Sequence, residues 1–129
     1  METNLGLRPG GVERLGAVLL ELGLAERVGA KVAGRLRAPA FDERRDPVLG
    51  ARNVRAAAAL AIEQADWVGE ILDSGGFPVV LGGDDSVLFG CLLALRRRGA
   101  AGLVFLDAHT DYGICRTGLA SCRTATCGS

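Results

Sequence analysis

Two short apolar runs separated by a helical segment are the feature that most constrains the fold of this 129-residue chain. Residues 78–81 and 102–106 have the length of strands, and residues 86–97 between them carry apolar side chains at helical spacing. Strands that are apolar throughout are typical of parallel sheets, in which a helix forms the crossover connection. The sequence therefore predicts a right-handed βαβ unit within an α/β layered domain.

Two more helices are predicted before this unit, at residues 11–22 and 50–74, because apolar side chains recur there at spacings of three and four. The apolar face of the second consists of Val54, Ala58, Ala61, Ala65, Val68 and Leu72. The apolar face of the helix at 86–97 consists of Leu88, Cys91, Leu92 and Leu95. Residues 28–36 alternate loosely and indicate a short strand, and residues 38–50, which contain two prolines, indicate a long loop.

The composition excludes several classes of function. The 15 basic and 15 acidic residues cancel, whereas a nucleic-acid or anionic-membrane partner requires a clustered basic excess. The basic cluster at residues 96–98 is interpreted as a solvated helix end. The N-terminus lacks the pattern of a secretory signal, and no apolar run approaches the roughly 18 residues that span a bilayer. We therefore expect a cytoplasmic protein whose four cysteines are reduced thiols.

Polar clusters follow both predicted strands of the βαβ unit. Residues 82–86, Gly-Gly-Asp-Asp-Ser, come after the first strand, and residues 107–111, Asp-Ala-His-Thr-Asp, come after the second. Ligands of open parallel sheets bind just beyond the carboxyl ends of the strands. Two clusters at the same edge of one sheet are therefore a stronger indication of a site than either cluster alone.

The second cluster has the residue types of a divalent-metal site. Residues two apart in an extended segment point the same way, so Asp107 and His109 would reach one ion, with Asp111 approaching from the following loop. Carboxylates and an imidazole suit Mn²⁺, Fe²⁺ or Zn²⁺. The alternative is a capped strand end in which His109 makes ordinary hydrogen bonds, and the spacing by itself is equally compatible with both.

The first cluster also allows more than one interpretation. The glycine pair before a helix is a weak signal for an anion-binding loop, although the lysine of a phosphate-binding P-loop is absent. Either Asp84 or Asp85 would serve to cap the following helix. The other aspartate would then lie beside a like charge, and this mildly favours a neutralising metal ion.

The two clusters together resemble the paired motifs of the ureohydrolases, the family of arginase, agmatinase and formiminoglutamase. Residues 80–86, Val-Leu-Gly-Gly-Asp-Asp-Ser, are similar to the family's G-G-D-H-S motif, and residues 105–111 are similar to its D-A-H-x-D motif. The likeness extends to Arg52-Asn53 and, more loosely, to residues 5–7 near the start of the chain.

The resemblance implies a fold, a reaction and a cofactor. It implies a three-layer αβα domain with a parallel sheet, of the arginase and deacetylase type, of which this chain would hold the N-terminal part. It implies hydrolysis of a guanidino or amidino C–N bond of a small substrate by two Mn²⁺ ions. By resemblance Asp107 bridges the two ions, His109 binds one, Asp111 binds the other, and Asp85 takes the place of the family's first histidine ligand.

Two departures from the family pattern bear on activity. Asp85 replaces a neutral ligand by an anion, which raises the local negative charge and puts arginine specificity in doubt. The family's second aspartate pair lies far downstream, so four candidate ligands are too few for an ordinary two-metal site. Residues 113–129 hold three of the four cysteines and lack apolar periodicity. We therefore expect a truncated chain, inactive alone, with a tail produced by a frameshift.

Two other hypotheses remain at this point. One is a complete small metallohydrolase that assembles its site across a homo-oligomer. The other is a non-catalytic metal- or anion-binding α/β module in which Asp85 and Asp107 have structural roles.

Overall fold

The computed structural model describes residues 1–6, 10–99 and 101–108. Within these residues the chain forms a 3₁₀ turn at Val12–Arg14 and four α-helices, namely α1 (Leu15–Glu21), α2 (Leu24–Arg27), α3 (Val54–Asp73) and α4 (Val87–Arg96). No helix in this part of the chain is both long enough and apolar enough to cross a membrane.

Helices α3 and α4 pack closely because the residues at their contact are small. Gly90 and Ala94 are the buried residues of α4, and a Cβ atom at Gly90 would lie 2.4 Å from Gln64 Oε1 of α3. The Gln64 side chain donates from Nε2 to the Val87 carbonyl at 2.7 Å and to Cys91 Sγ at 3.2 Å. Helix α3 is thereby tied to the first turn of α4.

Arginines at the C-terminal end of α4 hold the same two helices together. Arg97 pairs with Asp66 at 2.6 Å, and Arg98 pairs with Asp73 at 2.6 Å. Arg98 also donates to the carbonyls of Gly69 on α3 and Ala94 on α4. The basic cluster therefore lies at a helix end, where Arg97 and Arg98 are paired across the helix contact and Arg98 also donates to backbone carbonyls.

The predicted face of α3 is confirmed in part, whereas the predicted face of α4 is displaced. Ala61, Ala65 and Val68 are buried on α3, although Ala58 is exposed. On α4 the fully buried residues are small, and the predicted face is only partly buried. Close approach to α3 selects small residues, so the leucines of α4 lie beside the contact rather than within it.

The predicted apolar stripe at residues 11–22 does not form a buried face in the described structure. The segment divides into the 3₁₀ turn, α1 and, after a left-handed Gly23, α2. Leu15, Val18 and Leu22 are exposed, and Gly16 is the buried residue of α1. The side of α1 that faces Leu81 is the side without a large side chain.

Two hydrophobic clusters pack against α3. Buried Leu5, Leu36 and Leu60 form the first, with Trp67 among the partly buried residues packed against it. The second consists of Ala65, Val68 and Ala94, with Leu72, Val80 and Leu93 packed against it. Because α3 contributes to both clusters, it is the element that connects the N-terminal segment to α4.

The N-terminal residues lie between two other segments of the chain. The Glu2 amide donates to the Leu36 carbonyl at 3.0 Å and the Ala38 amide donates to the Glu2 carbonyl at 3.0 Å, which forms a parallel bridge between Glu2 and Arg37. On the other side, the N-terminal amine donates to the Leu81 carbonyl. The first two residues therefore contact both the segment at residues 36–38 and Leu81, which directly precedes the polar loop at residues 82–86.

The predicted strands at 28–36, 78–81 and 102–106 are not formed within the described residues, where strand-type pairing is limited to two isolated bridges. Residues 101–108 are exposed throughout, with Val104 87% and Leu106 92% accessible. A strand exists only through backbone pairing with a neighbour, so an apolar run without a neighbouring ladder stays irregular. The apolar pattern predicted buried strands, and within the described residues this prediction is wrong for all three segments.

The loop before α3 is organised by one carboxylate. Asp46 accepts hydrogen bonds from the amides of Val48 and Leu49, both at 2.9 Å, and from Arg55 Nε at 2.7 Å. The bond from the Leu49 amide, followed by those from Arg55 and Val48, lowers the pKa of Asp46 from 3.8 to about 2. These contacts confirm the predicted loop and join it to the first turn of α3.

The lowered pKa of Asp46 gives a pH dependence of defined sign. Its contribution to stability is fully present above the unfolded-state value of 3.8 and is lost as the pH falls through about 2. We expect the Asp46 carboxyl carbon to titrate near 2 in an NMR experiment. In Arg55→Met the midpoint should rise only part of the way to 3.8, since the Leu49 bond remains; a midpoint at 3.8 in the unmodified protein would contradict this geometry.

The contact between α3 and α4 predicts that Gly90→Ala destabilises the protein. Alanine gains about 1 kcal/mol of helix propensity. The added Cβ atom would also lie 2.6 Å from Gln64 Cβ, which is fixed to the backbone, so overpacking costs the upper part of about 1–3 kcal/mol and exceeds the gain. Gly102→Ala is the matched control, since a Cβ atom there meets nothing within 4 Å. Urea denaturation should show a lower midpoint for Gly90→Ala alone, and equal midpoints for the two variants would disprove the close contact.

Candidate functional site

The loop at residues 82–86 is organised around the buried carboxylate of Asp84, which is 7% accessible. Its Oδ1 accepts hydrogen bonds from the Ser86 amide at 3.1 Å and from the Ser86 hydroxyl. Its Oδ2 accepts a hydrogen bond from the Gly6 amide at 2.8 Å. A buried charge is tolerated when its oxygens receive such donors, so Asp84 fastens the loop to the N-terminal segment.

Thr3 extends this network toward the start of the chain. Its hydroxyl oxygen lies 3.1 Å from Ser86 Oγ and accepts a hydrogen bond from the Leu5 amide at 3.3 Å. Since an ionised carboxylate only accepts, the Ser86 hydroxyl donates to Asp84 and the Thr3 hydroxyl donates to Ser86. The hydrogen bonds therefore run in one direction from Leu5 through Thr3 and Ser86 to Asp84.

Close packing limits both glycines of the loop, with backbone atoms beside Gly83 and a side chain beside Gly82. A Cβ atom at Gly83 would lie 2.1 Å from the Thr3 carbonyl oxygen and 2.8 Å from Glu13 Cα. A Cβ atom at Gly82 would lie 2.0 Å from Cγ1 of Val87. No side chain fits at Gly83 without moving the backbone of two other segments.

The geometry separates the roles of the two adjacent aspartates. Asp84 is buried and serves the loop, whereas Asp85 is exposed. Solvent screens an exposed carboxylate, so the predicted like-charge cost is smaller than for two buried groups and is not by itself an argument for a metal ion. The anion-binding interpretation of the glycine pair is also disfavoured, because the Asp84 carboxylate already occupies the Ser86 amide.

The structure locates two of the four predicted metal ligands. Asp85 and Asp107 are both exposed, whereas His109 and Asp111 lie outside the described residues. Among the residues that are described, no three His, Cys, Asp or Glu side chains come together as a metal-binding group. The described part of the predicted site therefore consists of two exposed carboxylates, Asp85 after the first apolar run and Asp107 after the second.

Sequence reasoning missed two residues that support the loop. Gln64 interrupts the small apolar residues of α3, and a polar residue within an otherwise apolar helical face was a signal that it has a buried partner. Thr3 offered no such signal. Its partner Ser86 is 83 positions away, and only the three-dimensional arrangement brings them together.

Comparison with known sequences identifies the family. The sequence model of the arginase family matches residues 21–126, which include both polar clusters. The chain belongs to the arginase family. This confirms the ureohydrolase resemblance of the two motifs, and membership implies an arginase-like α/β fold.

Named relatives of the arginase family match shorter segments. Formimidoylglutamase of Aeromonas hydrophila is 45% identical over 51 residues, which cover 36% of this chain and 16% of the relative. Arginase of Bacillus caldovelox is 34% identical over 67 residues, covering 51% of this chain and 22% of the relative. Formimidoylglutamase of Aeromonas salmonicida is 43% identical over 51 residues, covering 36% and 16%. The chain thus matches less than a quarter of each relative's length, and no solved structure matches it.

The separate roles of the adjacent aspartates predict unequal effects of the same substitution. Asp84→Asn places an NH₂ group where a buried carboxylate oxygen accepts hydrogen bonds, so that donor faces donor. The substitution should lower the free energy of unfolding by about 1–3 kcal/mol. Asp85→Asn alters an exposed carboxylate and should change the free energy of unfolding by about 0.5 kcal/mol or less in metal-free buffer. Thermal or urea unfolding of the two variants measures the difference, and equal losses would refute the assignment of Asp84 as the buried support.

Proposed function

We propose that this chain is part of a ureohydrolase, which hydrolyses a C–N bond of a guanidino or amidino group with Mn²⁺. The observation that carries the proposal is the arginase-family match across residues 21–126, a range that contains Asp85, Asp107, His109 and Asp111. We propose, from the resemblance of the two motifs, that these four residues are the metal ligands. The names of the relatives, formimidoylglutamase and arginase, support a small substrate with an amidine or guanidine group.

The donor set fits a divalent ion of intermediate hardness. Asp85 and Asp107 are exposed carboxylates, and the described network already engages Asp84 within the protein. With His109 and Asp111 they would give three oxygen ligands and one nitrogen ligand, a set suited to Mn²⁺. Bound ions would lower the pKa of water so that it serves as a nucleophile at neutral pH.

The aspartate at position 85 is expected to alter the chemistry. A carboxylate in the place of a neutral imidazole adds one negative charge to the ligand set. The added charge would make a bound ion a weaker Lewis acid and a bound water less acidic. We therefore propose a substrate other than arginine, with the formimidoyl type as the first candidate because of the relatives named above.

Four ligands do not complete a site for two ions. We propose that residues 1–129 form the N-terminal portion of a three-layer αβα ureohydrolase domain, in which residues 78–81 and 102–106 become paired strands. Further ligands would come from elsewhere in such a domain. The chain alone is then expected to bind metal weakly and to release no product.

Metal binding by the purified 129-residue chain tests this proposal. We expect one weakly bound Mn²⁺ per chain, detected as loss of the free Mn²⁺ signal in electron paramagnetic resonance, and no urea or ammonia from arginine, agmatine or formimidoylglutamate. Asp107→Asn should reduce the affinity at least tenfold, as expected for removal of a charged ligand. Glu63→Gln is the matched control, since it also removes one exposed carboxylate but lies on α3.

Three outcomes would contradict parts of the proposal. Two Mn²⁺ per chain with release of urea or ammonia would show that copies of this chain assemble a complete site. Equal losses of affinity in Asp107→Asn and Glu63→Gln would show non-specific attraction to surface charge. Absence of Mn²⁺ binding would refute the metal role of the four residues and favour a non-catalytic module.

A further inference from the structure

We propose that the hydrogen-bond chain from Thr3 through Ser86 to Asp84 fixes the backbone at Asp85 in one conformation and so makes Thr3 a positioning residue for the metal-binding loop. The inference deepens the proposed function and rests on it for the role of Asp85 as a ligand. The fixing of the loop itself depends only on contacts within the described residues.

The first support is the position of Asp85 between two immobilised neighbours. Asp84 receives donors on both of its carboxylate oxygens, and the Ser86 hydroxyl is held between Asp84 and Thr3. Asp84 and Ser86 are 7% and 8% accessible, whereas Asp85 is exposed. The network therefore holds the two neighbours of Asp85, while the Asp85 side chain itself is exposed to solvent.

The second support is that the loop is held from two unrelated directions. On one side the N-terminal segment reaches it through Thr3 and the Gly6 amide. On the other side Gln64 of α3 donates to the carbonyl of Val87, directly after Ser86. A ligand held in place before metal binding loses less conformational entropy on binding, so such anchoring raises affinity without touching the ion.

Thr3 is the link whose function can be separated from its packing. It is 0% accessible, so its shape has to be preserved in a test. Thr3→Val keeps the shape and removes the hydroxyl, which takes the donor from Ser86 and the acceptor from the Leu5 amide. Thr3→Ser keeps the hydroxyl and removes only a methyl group. The two variants therefore separate the effect of the hydrogen bond from the effect of side-chain volume.

The experiment measures amide hydrogen exchange and Mn²⁺ affinity on the same proteins. In the metal-free protein, Thr3→Val should speed exchange of the Gly6 and Ser86 amides about fivefold, the equivalent of one net hydrogen bond, while amides of α3 and α4 change less. Its affinity for Mn²⁺ should fall by a similar factor. Thr3→Ser should restore both values to within about twofold of the unmodified chain, since its hydroxyl can donate to Ser86.

Two further variants separate a local effect from a general loss of stability. Val68→Ala creates a defect in the cluster between α3 and α4, and should speed exchange in those helices without lowering Mn²⁺ affinity at temperatures well below unfolding. Ser86→Ala interrupts the chain of hydrogen bonds at its middle residue and should reproduce the effect of Thr3→Val.

The outcomes distinguish this inference from the proposed function. Uniformly faster exchange in Thr3→Val, or unchanged exchange in both hydroxyl-deleting variants, would overturn the positioning role. Unchanged Mn²⁺ affinity in a variant with a loosened loop would overturn it as well. If the unmodified chain binds no Mn²⁺, the proposed function fails, while the exchange data still decide whether Thr3 fixes the loop.

Discussion

The buried carboxylate of Asp84 is the constraint on which the arrangement of the polar loop depends. An ionised group removed from water is costly unless donors surround it, and here the donors come from Ser86 and from the Gly6 amide. The N-terminal segment must therefore lie against the loop. That contact in turn leaves no space for a side chain at Gly83, and it places Thr3 within reach of Ser86. Charge, backbone packing and hydrogen bonding thus require the same arrangement.

Sequence reasoning succeeded where the physical signal is local. The 3.6-residue periodicity of α3 predicted three of its six buried residues, Ala61, Ala65 and Val68, because a helix face is determined by spacing within one segment. The predicted start of this helix, at residue 50, was four residues early. Asn53 adopts a left-handed conformation with φ 55°, which an asparagine tolerates, and the helix begins at Val54. The motifs that carry the family resemblance are equally local, and the family match confirms the resemblance.

The features that sequence reasoning did not capture depend on distant parts of the chain. The apolar runs at 78–81 and 102–106 were predicted to be strands, but a strand requires a partner that periodicity cannot supply, and the described residues contain no such ladder. Asp84 and Asp85 are adjacent residues of the same type, so the sequence does not distinguish them. Only their burial shows that Asp84 supports the loop and that Asp85 is exposed to solvent. Half of the predicted ligand set, His109 and Asp111, lies outside the described residues and stays a prediction.

The separation of Asp84 from Asp85 has a consequence for substitutions in the loop. Four of the five positions from 82 to 86 are constrained, so substitutions there are opposed by the fold. Backbone contact limits Gly83, the Val87 side chain limits Gly82, and the buried network holds Asp84 and Ser86. The side chain at position 85, in contrast, is exposed. A substitution at position 85 therefore alters the charge that the loop presents to solvent while the contacts of Asp84 and Ser86 stay in place. The loop thus tolerates chemical variation at one exposed position, and its buried contacts keep the surrounding backbone unchanged.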